Sequence, residues 1–309
     1  MTALRVFDLA DLDRSLEIGE LRSACMGIGF FYLTNHGIPA SIIAAAEAEM
    51  KSFFALPLEE RMAISLAHSN CHHGYEPMKA QTLEPGMPPD LKEGFYIGNE
   101  LDDEHPYVKA GYFNMGPNQW PASLPSFRPA MEAYFAALEG CARRLMRAMA
   151  LSLNLPAYHF DEFCSDPMSV LRLLHYPPQP ANPQPGEKGC GAHTDWGCLT
   201  LLWQDDNGGL QAHSGGEWID APPIPGTFVV NIGDMFARWT NNLYRSTLHR
   251  VINKSGKERY SMPYFFEGSP GYPVVALPGC VAAGEQPKYA PTTVSEHLTE
   301  MYRATFTPV

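Results

Sequence analysis

Apolar residues recur at helical spacing in two stretches of the chain. Ile42, Ile43, Ala46, Met50, Phe53 and Phe54 fall on one face of a 3.6-residue period, and Pro39-Ala40-Ser41 supplies a start. The spacing predicts an early amphipathic helix. A longer stripe through Phe127, Met131, Tyr134, Phe135, Leu138, Ala142, Leu145, Met146 and Met149 predicts a second helix packed on a sheet, with Arg143, Arg144 and Arg147 toward its solvated flank. Between about residues 57 and 122, Pro77, Pro85, Pro88, Pro89, Pro106, Pro117 and Pro121 interrupt any long element. The aromatic and histidine content of Cys71-His72-His73-Gly74-Tyr75 and Phe95-Tyr96 predicts packed loops covering a pocket. From about Met168 the period shortens, with apolar runs at 170–176, 198–203, 209–212, 217–219, 227–232, 247–252 and 260–266 between Pro, Gly, Asn or Asp turns. Many short strands predict a sandwich or barrel, and a jelly roll leaves a mouth in which facing side chains can bind a ligand.

Composition narrows the class. A chain of 309 residues, 45% hydrophobic and 18% charged, is globular and long enough for one large domain or two merged units. A net charge of −12 argues against nucleic acid or an anionic membrane as partner, and no protein partner is evident. Seven cysteines, at 25, 71, 141, 164, 190, 198 and 280, are scattered without a C-x-x-C pair, as in a reducing compartment. The first residues lack a basic segment followed by an apolar one, and no stretch approaches the roughly 18 apolar residues of a membrane span, so a cytoplasmic location is expected. Several motifs fail on context. Gly189-Cys190-Gly191 has Thr194 where a dinucleotide fingerprint needs its third glycine, Asp205-Asp206-Asn207-Gly208-Gly209 lacks the remaining calcium-loop ligands, and Asp102-Asp103-Glu104-His105 has the character of a solvated loop.

The chemistry concentrates in His193-Thr194-Asp195, His249 and Arg259-Tyr260-Ser261. Two imidazoles and a carboxylate can occupy three adjacent corners of an octahedral Fe(II), leaving the others for a chelating co-substrate and O₂. In a strand, His193 and Asp195 would point to one face with Thr194 away from it, and His249 would come from another strand. His, His and Asp also suit a Zn²⁺ hydrolase with an open water position.

These motifs, in this order, resemble the isopenicillin N synthase-like branch of the 2-oxoglutarate/Fe(II)-dependent oxygenase superfamily. The likeness covers nearly the whole chain: Gly29-Phe30-Phe31-Tyr32-Leu33-Thr34-Asn35-His36-Gly37-Ile38, then His73-Gly74-Tyr75 and Asp90-Leu91-Lys92-Glu93-Gly94-Phe95, then Arg172-Leu173-Leu174-His175-Tyr176-Pro177-Pro178, and last the triad with Arg259-x-Ser261. It implies a mixed α and β fold, a double-stranded β-helix (jelly-roll) core buttressed by helices. Residues 1–120 would form a helix, strand and loop region packed on a core of residues 121–309, with the metal and co-substrate motifs within 170–266. It also implies Fe(II) on His193, Asp195 and His249, and O₂ and 2-oxoglutarate as co-substrates. The far carboxylate of 2-oxoglutarate would be held by the guanidinium fork of Arg259, the Ser261 hydroxyl and the Tyr176 phenol. Relatives with an Asn-Tyr-Tyr-Pro-Pro run have an amide where this chain has Leu174, and His175, alternating with Tyr176, should point away from the pocket.

The expected outcome is oxidation of a small molecule, by default C–H hydroxylation, with release of succinate and CO₂. Desaturation and ring formation use the same machinery. An Fe(II) oxidase that takes its electrons from substrate, a zinc hydrolase and a silent binding protein are the alternatives. His72, His73, Tyr75, Phe95, Trp239, Tyr264 and Phe266 are expected around the substrate mouth.

Overall fold

The computed structural model describes residues 4–12 and 15–306. Strand β1 (Val6–Asp8) leads through helix α1 (Ser15–Gly27) to the parallel strand β2 (Phe30–Thr34). Helices α2 (Ala40–Phe54) and α3 (Leu58–Met62) precede strands β3 (Gly74–Glu76) and β4 (Glu93–Gly98). The short α4 (Pro106–Lys109) and the long α5 (Phe127–Ser152) complete the first part. The β-rich part then runs β5 (Met168–Tyr176), β6 (Cys190–His193), β7 (Leu199–Gln204), β8 (Leu210–Ser214), β9 (Glu217–Asp220) and β10 (Phe228–Ile232). Helix α6 (Asp234–Trp239) separates these from β11 (His249–Val251) and β12 (Arg259–Gly268). The pair β13 (Pro273–Val274) and β14 (Thr292–Thr293) leads into α7 (Val294–Phe306).

Two sheets form the double-stranded β-helix. The larger has the order β1-β2-β10-β7-β12-β5-β4-β3, and the smaller β6-β11-β8-β9. Period-2 alternation gives the large sheet two faces of different chemistry. Phe31 and Leu33, Leu171 and Leu173, Leu199 and Leu201, Phe228 and Val230, and Met262, Tyr264 and Phe266 join the α2 and α5 stripes in one buried cluster. Each fully buried side chain of this size contributes about 1.5–3 kcal/mol, so this layer dominates stability. Phe30, Tyr32, Leu174, Tyr176, Leu202 and Val229 face the other way and pack with Cys190, Leu210, Ala212 and Val251 of the small sheet. The site lies between the sheets.

The two predicted helices and the seven predicted strands are present. The proline-interrupted region differs from the expected loops, because β3 and β4 extend the large sheet beyond β5. Glycines hid β4: Gly98 accepts the ring of His73 so closely that an added Cβ would lie 2.2 Å from its Nε2. Helices α1 and α6 carry no clear periodic stripe, whereas α7 has one at Val294, Leu298, Met301 and Tyr302. Among the described residues no helix is long and apolar enough to cross a membrane. All seven cysteines are free, with Cys280 half-buried and the others buried.

Candidate active site

Strands β6 and β11 pair with His193 directly opposite His249, which brings two imidazoles from distant sequence to one point. Their ring centroids are 4.3 Å apart. Strand β6 ends at His193, so Asp195 reaches the same point from the turn that follows and not from a continuing strand. Thr194 points elsewhere, its hydroxyl donating to Asp234 at 2.9 Å. Asp195 Oδ1 lies 3.7 Å from His193 Nε2 and 3.5 Å from His249 Nε2, and one ligand atom from each of the three residues falls within 4.8 Å of the others. Cis ligands at ~2.1 Å from a metal sit roughly 3 Å apart, so the spacing suits one shared ion.

The far side of each group is already committed. His193 Nδ1 donates to the Gly191 carbonyl at 2.8 Å and His249 Nδ1 to the Thr247 carbonyl at 3.0 Å, which leaves both Nε2 lone pairs facing inward. Asp195 Oδ2 accepts from Thr200 Oγ1 at 2.5 Å and Asn231 Nδ2 at 2.7 Å, which leaves Oδ1 for a cation. Such outer partners fix tautomer and orientation in metal sites. Burial, with His193 beside it, lowers the His249 pKa to about 4, and burial lowers that of His193, so both rings are neutral. Burial alone would raise the Asp195 carboxyl. The two imidazoles and the bonds from Asn231 and Thr200 outweigh it and hold the group below its ordinary value. Neutral imidazoles and an ionised carboxylate are the donor forms a divalent metal needs.

Below the triad an inner cavity runs between the sheets. Arg259, Ser261, Pro263 and Phe265 of β12 line it with Arg172, Leu174 and Tyr176 of β5 and Thr200 and Leu202 of β7. Arg259 is fully buried, opposite Tyr176 in the β5 register. Its Nε donates to the Gly208 carbonyl at 2.6 Å, Nη1 to Ser261 Oγ at 3.1 Å and Nη2 to Gln204 Oε1 at 3.3 Å, and its guanidinium carbon sits 4.8 Å from the Tyr176 ring centroid. None of these partners is an anion. Among the described residues Arg259 has no carboxylate partner, and a buried cation without one is costly. Lys92 also reaches this cavity, buried against Asp90, and Asp90 accepts the Gly191 amide at 2.8 Å, so the pair pins the start of β6. His175 points out of the cavity, as its alternation with Tyr176 requires. It bonds Glu93 at 2.7 Å, also contacts Glu258, and stacks on Tyr260 at 4.9 Å.

An outer cavity opens on the other side of the triad. Its walls include His72, Tyr96, Phe113, Val170, Arg172, Trp196, Phe265, Leu298 and Tyr302. Of the residues expected around the mouth, the structure brings only His72 here. Tyr75 and Phe95 pack with Phe53 and Phe127 in the core, Trp239 packs on Phe160 and Phe163, and Tyr264 and Phe266 face the α5 layer. His73 is fully buried against Cys71, its Nδ1 3.3 Å from the thiol. The cause is strand phase: Tyr96 and Phe265, one residue away from Phe95 and from Tyr264 and Phe266, take the cavity face, because a shift of one residue exchanges the faces. Thr200, Asn231, Gln204 and Lys92 were missed as well. Of these, Gln204 stands opposite the recognised Ser261 in the β12 register, whereas Thr200 and Asn231 pair with each other and Lys92 precedes β4, so no local pattern marks them.

Sequence and structure comparisons agree with this geometry. Residues 167–268 match the 2OG-Fe(II) oxygenase superfamily, and residues 4–123 match the N-terminal region described as non-haem dioxygenase in morphine synthesis. A 2-oxoglutarate-Fe(II) type oxidoreductase of Emericella nidulans is 43% identical over 94% of this chain and 84% of its own length. A full-length Neurospora crassa protein, crystallised in complex with α-KG and thymine, superposes with a TM-score of 0.85 at 30% identity, covering 97% of this chain and 96% of that one. JOX2 in complex with 2OG, Fe and JA superposes with a TM-score of 0.82 at 28% identity, over 100% of this chain and 87% of that one. A jelly roll with two histidines and an aspartate between its sheets is the scaffold of a non-haem iron oxygenase. The chain belongs to the 2OG-Fe(II) oxygenase superfamily, in its isopenicillin N synthase-like branch. It is an oxidoreductase that uses Fe(II) and 2-oxoglutarate, and its substrate is unidentified.

Proposed function

We propose that this protein hydroxylates a C–H bond of a small, ring-containing molecule, with Fe(II) held by His193, Asp195 and His249 and 2-oxoglutarate anchored by Arg259, Ser261 and Tyr176. Iron with 2-oxoglutarate and O₂ supplies the oxidising chemistry, converting 2-oxoglutarate to succinate and CO₂ as one oxygen atom enters the substrate. The observation that carries the reading is Arg259, a fully buried guanidinium whose protein partners are all neutral, aimed into the cavity beneath the triad. A dicarboxylate with one end at the metal would supply the missing anion. Ser261 adds a hydroxyl on the same strand face, and Tyr176 adds a buried phenol whose pKa burial raises, so it stays protonated as a donor.

Thr200 and Asn231 keep the Asp195 carboxylate turned so that one oxygen faces the ion. Leu174, Leu202, Leu210 and Val251 keep water from the co-substrate chamber. Thymine in the N. crassa relative and JA in JOX2 support a small organic molecule in the outer cavity. The free, dispersed cysteines support a reducing, cytoplasmic setting. The test is an anaerobic titration of the Fe(II) protein with 2-oxoglutarate, reading the weak visible charge-transfer absorption of a chelated 2-keto acid. Equal affinity in wild type and Arg259→Ala would remove Arg259 from the site, and turnover without succinate would favour an oxidase that needs no 2-oxoglutarate.

A further inference from the structure

We propose that Arg172 anchors the primary substrate through a planar oxygen acceptor, a carboxylate or a lactam-type carbonyl, carried on a flat ring that lies against an aromatic wall. The inference rests on the oxygenase reading of the site and adds the class of molecule it takes.

Strand β5 turns Val170, Arg172, Leu174 and Tyr176 to the same side, and Arg172 lines both the inner and the outer cavity together with His193 and Asp195. A group bound to it therefore lies beside the triad on the side opposite Arg259. The guanidinium is held on two sides. Nη2 donates to Glu76 at 2.9 Å and to Gln81 at 3.4 Å, and the plane lies over the Tyr96 ring with its central carbon 4.2 Å from the centroid. Glu76 is itself fixed by the Tyr96 hydroxyl at 3.3 Å. Nε makes no hydrogen bond, and no acceptor meets Nη1 among the described residues. The side chain keeps 11% exposure although the surrounding strands enclose it, and that exposure opens on the cavities it lines. Nε is itself buried, so Nη1 is the donor left for an oxygen acceptor on a ligand.

The wall beside Arg172 is aromatic and continuous. Tyr96 meets His72 at 5.0 Å between centroids, His72 meets Phe113 at 6.3 Å, and Phe113 meets Tyr302 of α7 at 4.3 Å. His72 holds its place with a φ of 61°, a left-handed backbone that a non-glycine residue adopts only when its surroundings require it. Burial and the nearby Arg172 lower its pKa to about 4, so the ring is neutral and joins the wall as an aromatic surface. Glu267 also lines the chamber. Burial raises its carboxyl to about 8, and Gln81, Asn114 and Thr194 add neutral polar groups, so among the described lining residues Arg172 is the permanent cation facing a ligand. A flat ring fits such walls by stacking. A ring without an acceptor, or one bearing an ammonium group, leaves the Arg172 donors unmatched, a disadvantage of roughly tenfold or more.

The test uses the Fe(II) and 2-oxoglutarate-loaded enzyme without O₂, and equilibrium dialysis of benzoate, 2-pyridone, toluene and benzylamine. Benzoate or 2-pyridone should bind at least tenfold more tightly than toluene and benzylamine, and which of the two leads distinguishes an anionic acceptor from a neutral one. Arg172→Lys should collapse that preference. So should the pair Glu76→Gln with Arg172→Gln, which removes both charges together and leaves no buried carboxylate unpaired. Toluene or benzylamine binding as well as the acceptor-bearing rings, or a preference that survives in the double variant, would overturn the assignment. If neither variant folds, the comparison of the four probes on the wild-type enzyme still decides. Normal 2-oxoglutarate binding with no acceptor preference sinks this inference alone, whereas failure to bind 2-oxoglutarate sinks the reading beneath it.

Discussion

The inner and outer cavities share Leu83, Arg172, His193, Asp195 and Phe265, yet they are built in opposite ways. The inner one is lined by alternate residues of paired strands: Tyr176 and Leu174 on β5, Arg259 and Ser261 on β12, Thr200 and Leu202 on β7. Its lining is fixed by sheet register. The outer one gathers His72, Tyr96, Phe113, Arg172, Trp196 and Tyr302, which come from separate loops, strands and the last helix. On the proposed reading, most of the co-substrate chemistry sits on the strand ladder, and the surfaces that would select a substrate come from segments free to vary independently.

Breaking the inner site should give the largest effect. Asp195→Ala, or either histidine to Ala, is expected to abolish productive Fe(II) binding, since each residue supplies one of three ligand atoms within 4.8 Å. Metal content after anaerobic loading, with succinate production, checks it; full turnover by His249→Ala with iron bound would refute the assignment.

The contrast sharpens at two neighbours on β12. Phe266 is fully buried in the helical layer, so Phe266→Ala should cost about 3–5 kcal/mol of stability with substrate coupling preserved. Phe265 lines both cavities, so Phe265→Ala should change the ratio of product to succinate more than it changes the melting temperature. Identical profiles for the two would erase the distinction between faces.

Arg259→Ala should weaken 2-oxoglutarate binding by roughly tens of fold, from the loss of about 1.5–3 kcal/mol, and Tyr176→Phe by only a few fold. The charge-transfer titration separates them.

The smallest effect concerns the outward face of β5. Burial would lower the pKa of His175, but bonds to Glu93 and Glu258 raise it above 6.5. Its charged form therefore adds stability that is fully present below 6.5 and is lost as pH rises through the raised value. His175→Gln should flatten that decline by no more than about 1 kcal/mol, measured by denaturant unfolding across the window, because Glu258 is exposed.

Much of the inner site was legible in the chain. His193, Asp195, His249, Arg259, Ser261 and Tyr176 carry unusual chemistry at short spacings, and a resemblance to known enzymes ordered them. Even so, Asp195 acts from a turn where a strand was expected, because the ladder of β6 stops at His193. The outer site was mostly illegible. Phe95 and Tyr96 are both aromatic in a strand buried along its length, so composition could not say which faces the cavity, and pairing Tyr96 with Arg172 decides it. Phe113 and Tyr302 meet across 189 residues, a contact no local pattern encodes.

The burial of the thiols bears on how the protein endures its own oxidant. Burial raises Cys141 and Cys164 to about 12 and Cys190 to about 11, and pushes Cys198 up as well. Peroxide and alkylating agents attack the thiolate, a form these residues scarcely populate at neutral pH. Cys190, with its sulfur 3.8 Å from His193 Nδ1, is thereby kept from sulfenic acid formation beside the reaction centre. Half-buried Cys280 is left as the natural place to attach a reporter.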